Sequence, residues 1–268
     1  MPKETHFFAR PDGQGSPEAI APIYARRFFA HLTADHRVLL DGSVSYLYSA
    51  QAVRSIDRLD PGAKFIVMVR NPVDLVHSYY HRLVYLMDED APSFAAAWEL
   101  RQARARGDRI PRTCRDPRVL RYDEIGRLGH YLEQLFAIVG RERCHVVVFD
   151  DFASDAERVH LSVLGFIGVE PAVGLKVKPK NGARDFSSAW LQRLYANPPK
   201  PLIRLAGVDA FRTTPWIKRM RKAIKRRNTR RTTPPRLDPS MRSILHAHFR
   251  EDIERLSALL GRDLAHWR

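Results

Sequence analysis

Short β-branched runs alternate along this chain with longer stretches in which apolar residues recur every three or four positions. The sharpest example lies between Lys64 and Met87. Phe65 to Val69 (FIVMV) has the length and the β-branched content of a buried strand, and it stops at Arg70-Asn71-Pro72. A helix is predicted at once. Asn71 can cap it, Pro72 suits a first helical position because its missing N–H would be unpaired there, and Asp74 offsets the macrodipole in the first turn. Val73, Val76, Tyr80, Leu83, Val84 and Met87 then recur at helical spacing, so one face is buried.

The same two periods organise the rest. An amphipathic helix is predicted over Ala19 to Leu32, and a short strand over Arg37 to Leu40 that ends at Asp41-Gly42-Ser43. A helix from Ala50 to Leu59 closes on Asp60-Pro61-Gly62, and Ser93 caps another that buries Phe94, Ala97, Trp98 and Leu100. Arg101 to Arg121 reads as an irregular Arg-rich loop broken by Gly107, Pro111 and Pro117, either arching over a site or simply solvated. Tyr122 to Val139 reads as one helix and His145 to Phe149 as a second buried strand. Ser154 and Glu157 form a capping box for a helix that runs to Gly168. Asp238 caps a last helix from Pro239 to Leu260 with Met241, Leu245, Phe249, Ile253 and Leu256 inward. Alternating strand and helix signals predict an α/β fold, a parallel sheet flanked by helices, in a single domain over residues 1–268.

Charge narrows the ligands. The 268 residues hold 45 Lys and Arg against 30 acidic residues, a formal +15. Nucleotide phosphates, sulfated or acidic glycans, anionic lipid heads and nucleic acid are the partners this favours. The two cysteines, Cys114 and Cys144, have neither metal nor redox spacing, so a reduced cytoplasm is expected and no metal is called for. No apolar run approaches the roughly 20 residues that span a bilayer, and no signal peptide opens the chain.

Candidate chemistry starts where the organising strand meets its helix. Free N–H groups and the positive dipole end make a strand-to-helix turn an anion site, to which Arg70 adds forked donors and Ser78 a hydroxyl about two turns along. By spacing alone the turn reads equally well as an ordinary α/β strand end. Its wording is more specific: Arg-Asn-Pro with Ser at the eighth position after Arg resembles the 3'-phosphate-binding segment of the PAPS-dependent sulfotransferases. The resemblance implies that Arg70 and Ser78 hold the nucleotide 3'-phosphate. Leu75 stands where that family often has a second basic residue.

Other segments carry the same resemblance. Lys3-Glu4-Thr5-His6-Phe7-Phe8 is similar to the Lys-Glu-x-His-Phe-Phe segment of the glycan-directed branch and its bacterial relatives. It implies that Glu4 is the general base for the acceptor and that His6 lies beside it. Without the resemblance, Glu4 reads as a frayed terminal carboxylate and His6 as the polar edge of an aromatic cluster. Asp41, Ser43 and Tyr46 match residues that line the acceptor cleft, with Gly42 where animal enzymes usually carry Lys; Asp-Gly-Ser is also an ordinary turn. Asp150-Asp151-Phe152 resembles the family's Glu-Asp-Leu. The basic stretch from Lys176 to Arg184 maps onto a loop that closes over the nucleotide through Lys180, Asn181 and Arg184, or is a polar interdomain loop. The last helix resembles the closing helix of bacterial sulfotransferases, so the likeness covers nearly the whole chain.

The resemblance implies a P-loop-NTPase-like sulfotransferase fold and transfer of a sulfuryl group from PAPS to a hydroxyl or amine of a glycan or small metabolite. The family's Gly-x-x-Lys-x-Gly-Thr-Thr phosphosulfate loop and the strand before it are not in the sequence, and a start codon placed too late is the expected reason. A truncated, non-catalytic relative that binds adenosine bisphosphate or a polyanion is the alternative. The basic helix at 214–231 (Trp216 to Arg231: WIKRMRKAIKRRNTRR) could dock on acidic lipid heads or a polyanionic acceptor, or be a solvated helix packed by a thin edge. Binding of nucleic acid through it is a further alternative and not the expected role. The sequence carries no signal for an oligomeric state.

Overall fold

A computed structural model describes residues 4–33, 35–36, 38–114, 116–171, 184–188, 190–192 and 214–267. Along these the elements are α1 (Pro17–Phe28), α2 (Ala50–Leu59), β1 (Phe65–Val69), α3 (Pro72–Leu86), α4 (Phe94–Glu99), α5 (Arg101–Ala105), α6 (Tyr122–Ile125), α7 (Leu128–Val139), β2 (Cys144–Val148), α8 (Phe149–Ser154), α9 (Ala156–Ile167), β3 (Arg184–Phe186), α10 (Pro215–Asn228), β4 (Thr229–Arg231) and α11 (Pro239–Leu260). They form two compact units. One holds Met1–Arg70, Arg127–Val177 and Arg250–Arg268, the other Asn71–Gly126 and Lys178–Phe249.

The first unit is built on β1 and β2, paired in parallel from Phe65↔Cys144 to Val69↔Val148. Val67 and Val69 point inward. Arg143, just before β2, locks the pair to the preceding chain, donating to the Asp57 carboxylate at 2.7 Å and the Ala63 carbonyl at 3.0 Å. Helix α2 starts where the Ser49 side chain accepts from the Ala52 amide, and it packs on α7. Asp252 supplies the cap for α7, accepting from the amides of Gly129 at 2.8 Å and His130 at 2.9 Å. A second cluster joins Phe7, Phe8, Ile20, Tyr46 and Ala52 with Tyr24 and Phe28 of α1. The ring pairs Phe7–Tyr24 at 5.2 Å and Phe8–Tyr24 at 4.8 Å fix the N-terminal segment on that helix.

The second unit is built on α3. Asn71 caps it, accepting from the Val73 amide at 3.0 Å, Pro72 occupies its first turn, and Met87 ends it in the left-handed conformation at φ 65°. Val73, Val76, Tyr80 and Leu83 form its buried face, with Phe94, Trp98, Leu120, Tyr122, Leu245 and Phe249 also inside. Strands β3 and β4 pair antiparallel, with Asp185 opposite Arg230. Asn228 anchors this hairpin through the Ser188 amide at 2.8 Å and the Ser188 carbonyl at 3.0 Å.

Most predicted elements stand within a residue or two of their expected bounds; α1 ends at Phe28 and not at Leu32, the basic helix ends at Asn228 and gives Thr229–Arg231 to β4, and the other departures have physical causes. Val38 to Leu40 is not a strand: the three side chains are 41%, 49% and 66% exposed, and among the described residues no strand lies beside them. An extended segment with no ladder leaves its backbone to water. The expected helix Tyr122–Val139 is two helices. The break falls at Arg127, which leaves the helical region at ψ 58°, and the preceding Gly126 is needed because a Cβ there would lie 2.3 Å from the Phe249 ring. Strand β2 starts one residue early and gives Phe149 to α8. Ser154 does not cap α9. Its hydroxyl donates to the Asp151 carbonyl, and Asp155 is the cap, accepting from the Arg158 amide. The Arg-rich segment after Leu100 is in part ordered, since α5 carries Arg104 into the core to meet Glu89.

Candidate active site

In the first unit, five sequence-predicted residues converge on one hydrogen-bonded network. A 3₁₀ turn at Val44–Tyr46, closed by the Tyr46 amide on the Ser43 carbonyl, brings Asp41, Ser43 and Tyr46 against the segment Glu4 to Phe7. Asp41 is the hub. Its Oδ1 accepts from the Ser43 hydroxyl at 2.5 Å. Its Oδ2 accepts from Thr5 at 2.6 Å, Tyr46 at 2.7 Å and Tyr24 at 2.8 Å. Burial pushes the Asp41 carboxyl up, but the four hydroxyl donors outweigh it and hold the group below the usual carboxylate range. Burial, together with the bond each makes to Asp41, raises the Tyr24 and Tyr46 phenols.

Glu4 and His6 sit at the open side of this hub. The His6 amide donates to Ser43 Oγ at 2.8 Å, and its ring Nδ1 meets Ser45 Oγ at 2.8 Å. The other ring nitrogen, Nε2, lies 3.2 Å from Glu4 Oε2. His6 has φ 50°, a left-handed conformation that costs a non-glycine residue energy and that the Ser43 and Ser45 bonds hold in place. The two side chains are 32% and 30% exposed, whereas Ser43 and Tyr46 are each 8% exposed. Exposure separates Glu4 and His6, which solvent reaches, from Ser43 and Tyr46, which are buried, while Asp41, half-buried, is held by its four donors. Thr5, Tyr24 and Ser45 belong to the network and were not predicted. Thr5 is the variable position of the Lys-Glu-x-His wording, Tyr24 reads as a core residue of α1, and Ser45 lies inside the Val44 to Tyr48 wording but has no role assigned in it.

Arg70 closes β1 in the first unit, half-buried, with its guanidinium 4.7 Å from the centroid of the Phe149 ring. Asp150 and Asp151 serve structure there. Asp150 accepts from Trp267 Nε1 at 2.8 Å, and Asp151 takes a bidentate bond from Arg262 at 2.5 and 2.9 Å, so both hold the C-terminal segment. Ser78 is exposed on α3 in the second unit. Lys180 and Asn181 lie outside the described residues, and Arg184 is described only as backbone paired with Arg231. Among the described residues no helix is long and apolar enough to cross a membrane.

No family model matches the chain, and no curated protein does. Among solved structures it is similar to the crystal structure of a sulfotransferase from Alicyclobacillus acidocaldarius, 23% identical, with a TM-score of 0.65 over 100% of this chain and 86% of that one. At that identity the likeness is one of architecture: this chain has the α/β fold of a sulfotransferase.

Proposed function

We propose that the chain is a sulfotransferase that moves a sulfuryl group from PAPS to a hydroxyl or amine of a glycan or small metabolite. The observation that carries this reading is the Glu4–His6 pair, 3.2 Å apart, a third exposed, and pinned by Ser43 and Ser45 in a chain with this fold. Glu4 takes the proton of the acceptor as the acceptor oxygen or nitrogen bonds to sulfur. The bond from sulfur to the donor phosphate oxygen breaks, and adenosine 3',5'-bisphosphate leaves. Arg70 and Ser78 hold the 3'-phosphate, a role drawn from the wording of their segment. The Phe149 ring beside Arg70 helps orient its planar guanidinium, whose forked donors suit a phosphate. Fixing both partners supplies the entropy that a weak nucleophile lacks.

Calorimetric titration with adenosine 3',5'-bisphosphate, with AMP as the ligand lacking the 3'-phosphate, tests the nucleotide half. Binding should need both the 3'-phosphate and Arg70. Equal affinity for AMP, or full affinity in Arg70→Ala, would refute it. Transfer by Glu4→Gln should fall by about 10²–10⁴ with nucleotide affinity unchanged.

A further inference from the structure

Two imidazoles on α3, with no part in the chemistry above, face each other across one helical turn. His77 and His81 are four residues apart and therefore share a face. Their Nε2 atoms lie 3.2 Å apart, and the ring planes are nearly perpendicular at 85°. We propose that His77 and His81 form a chelating site for a borderline divalent cation such as Zn²⁺, with water completing the coordination.

The bite is right for that class of ion. Two nitrogens at about 2.0–2.1 Å from a tetrahedral Zn²⁺ sit about 3.3–3.4 Å apart, close to the observed spacing. Imidazole is a preferred ligand of Zn²⁺, Cu²⁺ and Ni²⁺, while Mg²⁺ and Ca²⁺ choose oxygen. The pair is also held in place. The His77 ring packs edge-on against Phe94 at 5.6 Å and the His81 ring against Tyr80 at 5.1 Å, so little rotamer freedom remains to be lost on binding. Burial lowers His77 and His81, the mutual repulsion of the rings and the nearby Arg242 lower His77 further, and Asp74 and Asp185 oppose this.

Among the described residues no third His, Cys, Asp or Glu completes a cluster. Asp74 is engaged by Arg242 at 3.0 Å and Asp185 by Arg230 at 2.9 Å. Open positions then remain for water or an exchangeable ligand. Without an ion the pair satisfies itself, one ring N–H donating to the other ring's lone pair.

Calorimetric titration of the full chain with ZnCl₂ in a non-coordinating buffer tests the site, with the imidazole proton resonances followed in parallel. Binding of one ion that weakens at least tenfold in both His77→Gln and His81→Gln, and is unchanged in His160→Gln, is the expected result. The resonances of the two rings should shift together on addition of Zn²⁺, and far-UV dichroism should show both variants folded. No Zn²⁺ binding, or binding that survives either substitution in a folded variant, would overturn the proposal.

Discussion

Replacing Asp41 tests the network most directly, because four hydroxyls donate to one carboxylate. A hydrogen bond to a charged acceptor is worth about 1.5–3 kcal/mol, but donors that can turn to water recover much of it. The donors that cannot are Thr5 at 4% and Ser43 and Tyr46 at 8% exposure; Thr5 and Tyr46 can still bond each other at 2.9 Å, which leaves Ser43 the donor that loses its acceptor. Asp41→Ala should therefore cost about 2–4 kcal/mol, and Asp41→Asn, which keeps one acceptor oxygen, about 1–2 kcal/mol. The sign of the pH dependence follows from the lowered carboxyl of the folded state. A carboxyl that binds its proton less tightly when folded stabilises fully above its unfolded value of about 3.9, and that stability is lost as pH falls through the folded value. Urea denaturation of wild type and Asp41→Asn at pH 7 and pH 3 should show a difference that narrows in acid. Because Ser43 also receives the His6 amide, loosening it should broaden the His6 ring resonance in the same variant. A cost below about 0.5 kcal/mol for Asp41→Ala at pH 7, or a difference indifferent to pH, would refute the assignment of Asp41 as the hub.

Other consequences are equally measurable. Glu89 and Arg104 are fully buried, joined by two bonds of 2.6 Å, with Tyr122 donating to the same carboxylate at 2.7 Å. Arg104→Ala strands the carboxylate and should cost about 3–5 kcal/mol in urea at pH 7, whereas Arg104→Met, which refills the volume, should cost less. Burial pushes Glu89 up while Arg104, Tyr122 and the Ala91 amide pull it below the usual range. Without Arg104 burial prevails, so the penalty should shrink between pH 7 and pH 5 as the carboxyl takes a proton; an unchanged penalty would mean that Glu89 is not desolvated. Gly129→Ala places a Cβ 2.4 Å from the Asp252 carbonyl and should cost about 3 kcal/mol by the same measurement, with less than 1 kcal/mol arguing that α7 and α11 can part at no expense.

What the sequence disclosed of the fold is what local chemistry writes. The Asn71-Pro72 pair, Ser93 and Asp238 each announce a helix start through a side chain that satisfies its own neighbouring amides, and α3, α4 and α11 begin where those residues stand. Gly168 ends α9 for the same kind of reason, at φ 79°. The errors gather where a distant residue decides. Val38 to Leu40 has strand composition but no ladder among the described residues, and composition cannot report a missing neighbour. Gly126, beside the break, packs against Phe249, more than a hundred residues away in sequence, and Arg104 goes inside because Glu89 waits there. An arginine in a loop-like stretch reads as solvated until its partner is known.

The candidate site divides in the same way. Glu4, His6, Asp41, Ser43 and Tyr46 were found by the wording of two short segments, and the structure adds what wording cannot hold, namely which of them is saturated. Both Asp41 and Glu4 are carboxylates, and the resemblance gives them different places, Asp41 in the acceptor cleft and Glu4 as the base. Asp41 accepts from four donors, so taking a proton would break bonds that hold the turn. Glu4 has one partner among the described residues, His6, and is 32% exposed. On the mechanism proposed above, the base is Glu4, whose carboxylate is open to solvent and keeps lone pairs unused among the described residues. The hydroxyls that help saturate Asp41, Thr5 and Tyr24, were invisible because a hydroxyl signals nothing until the chain has folded its acceptor against it.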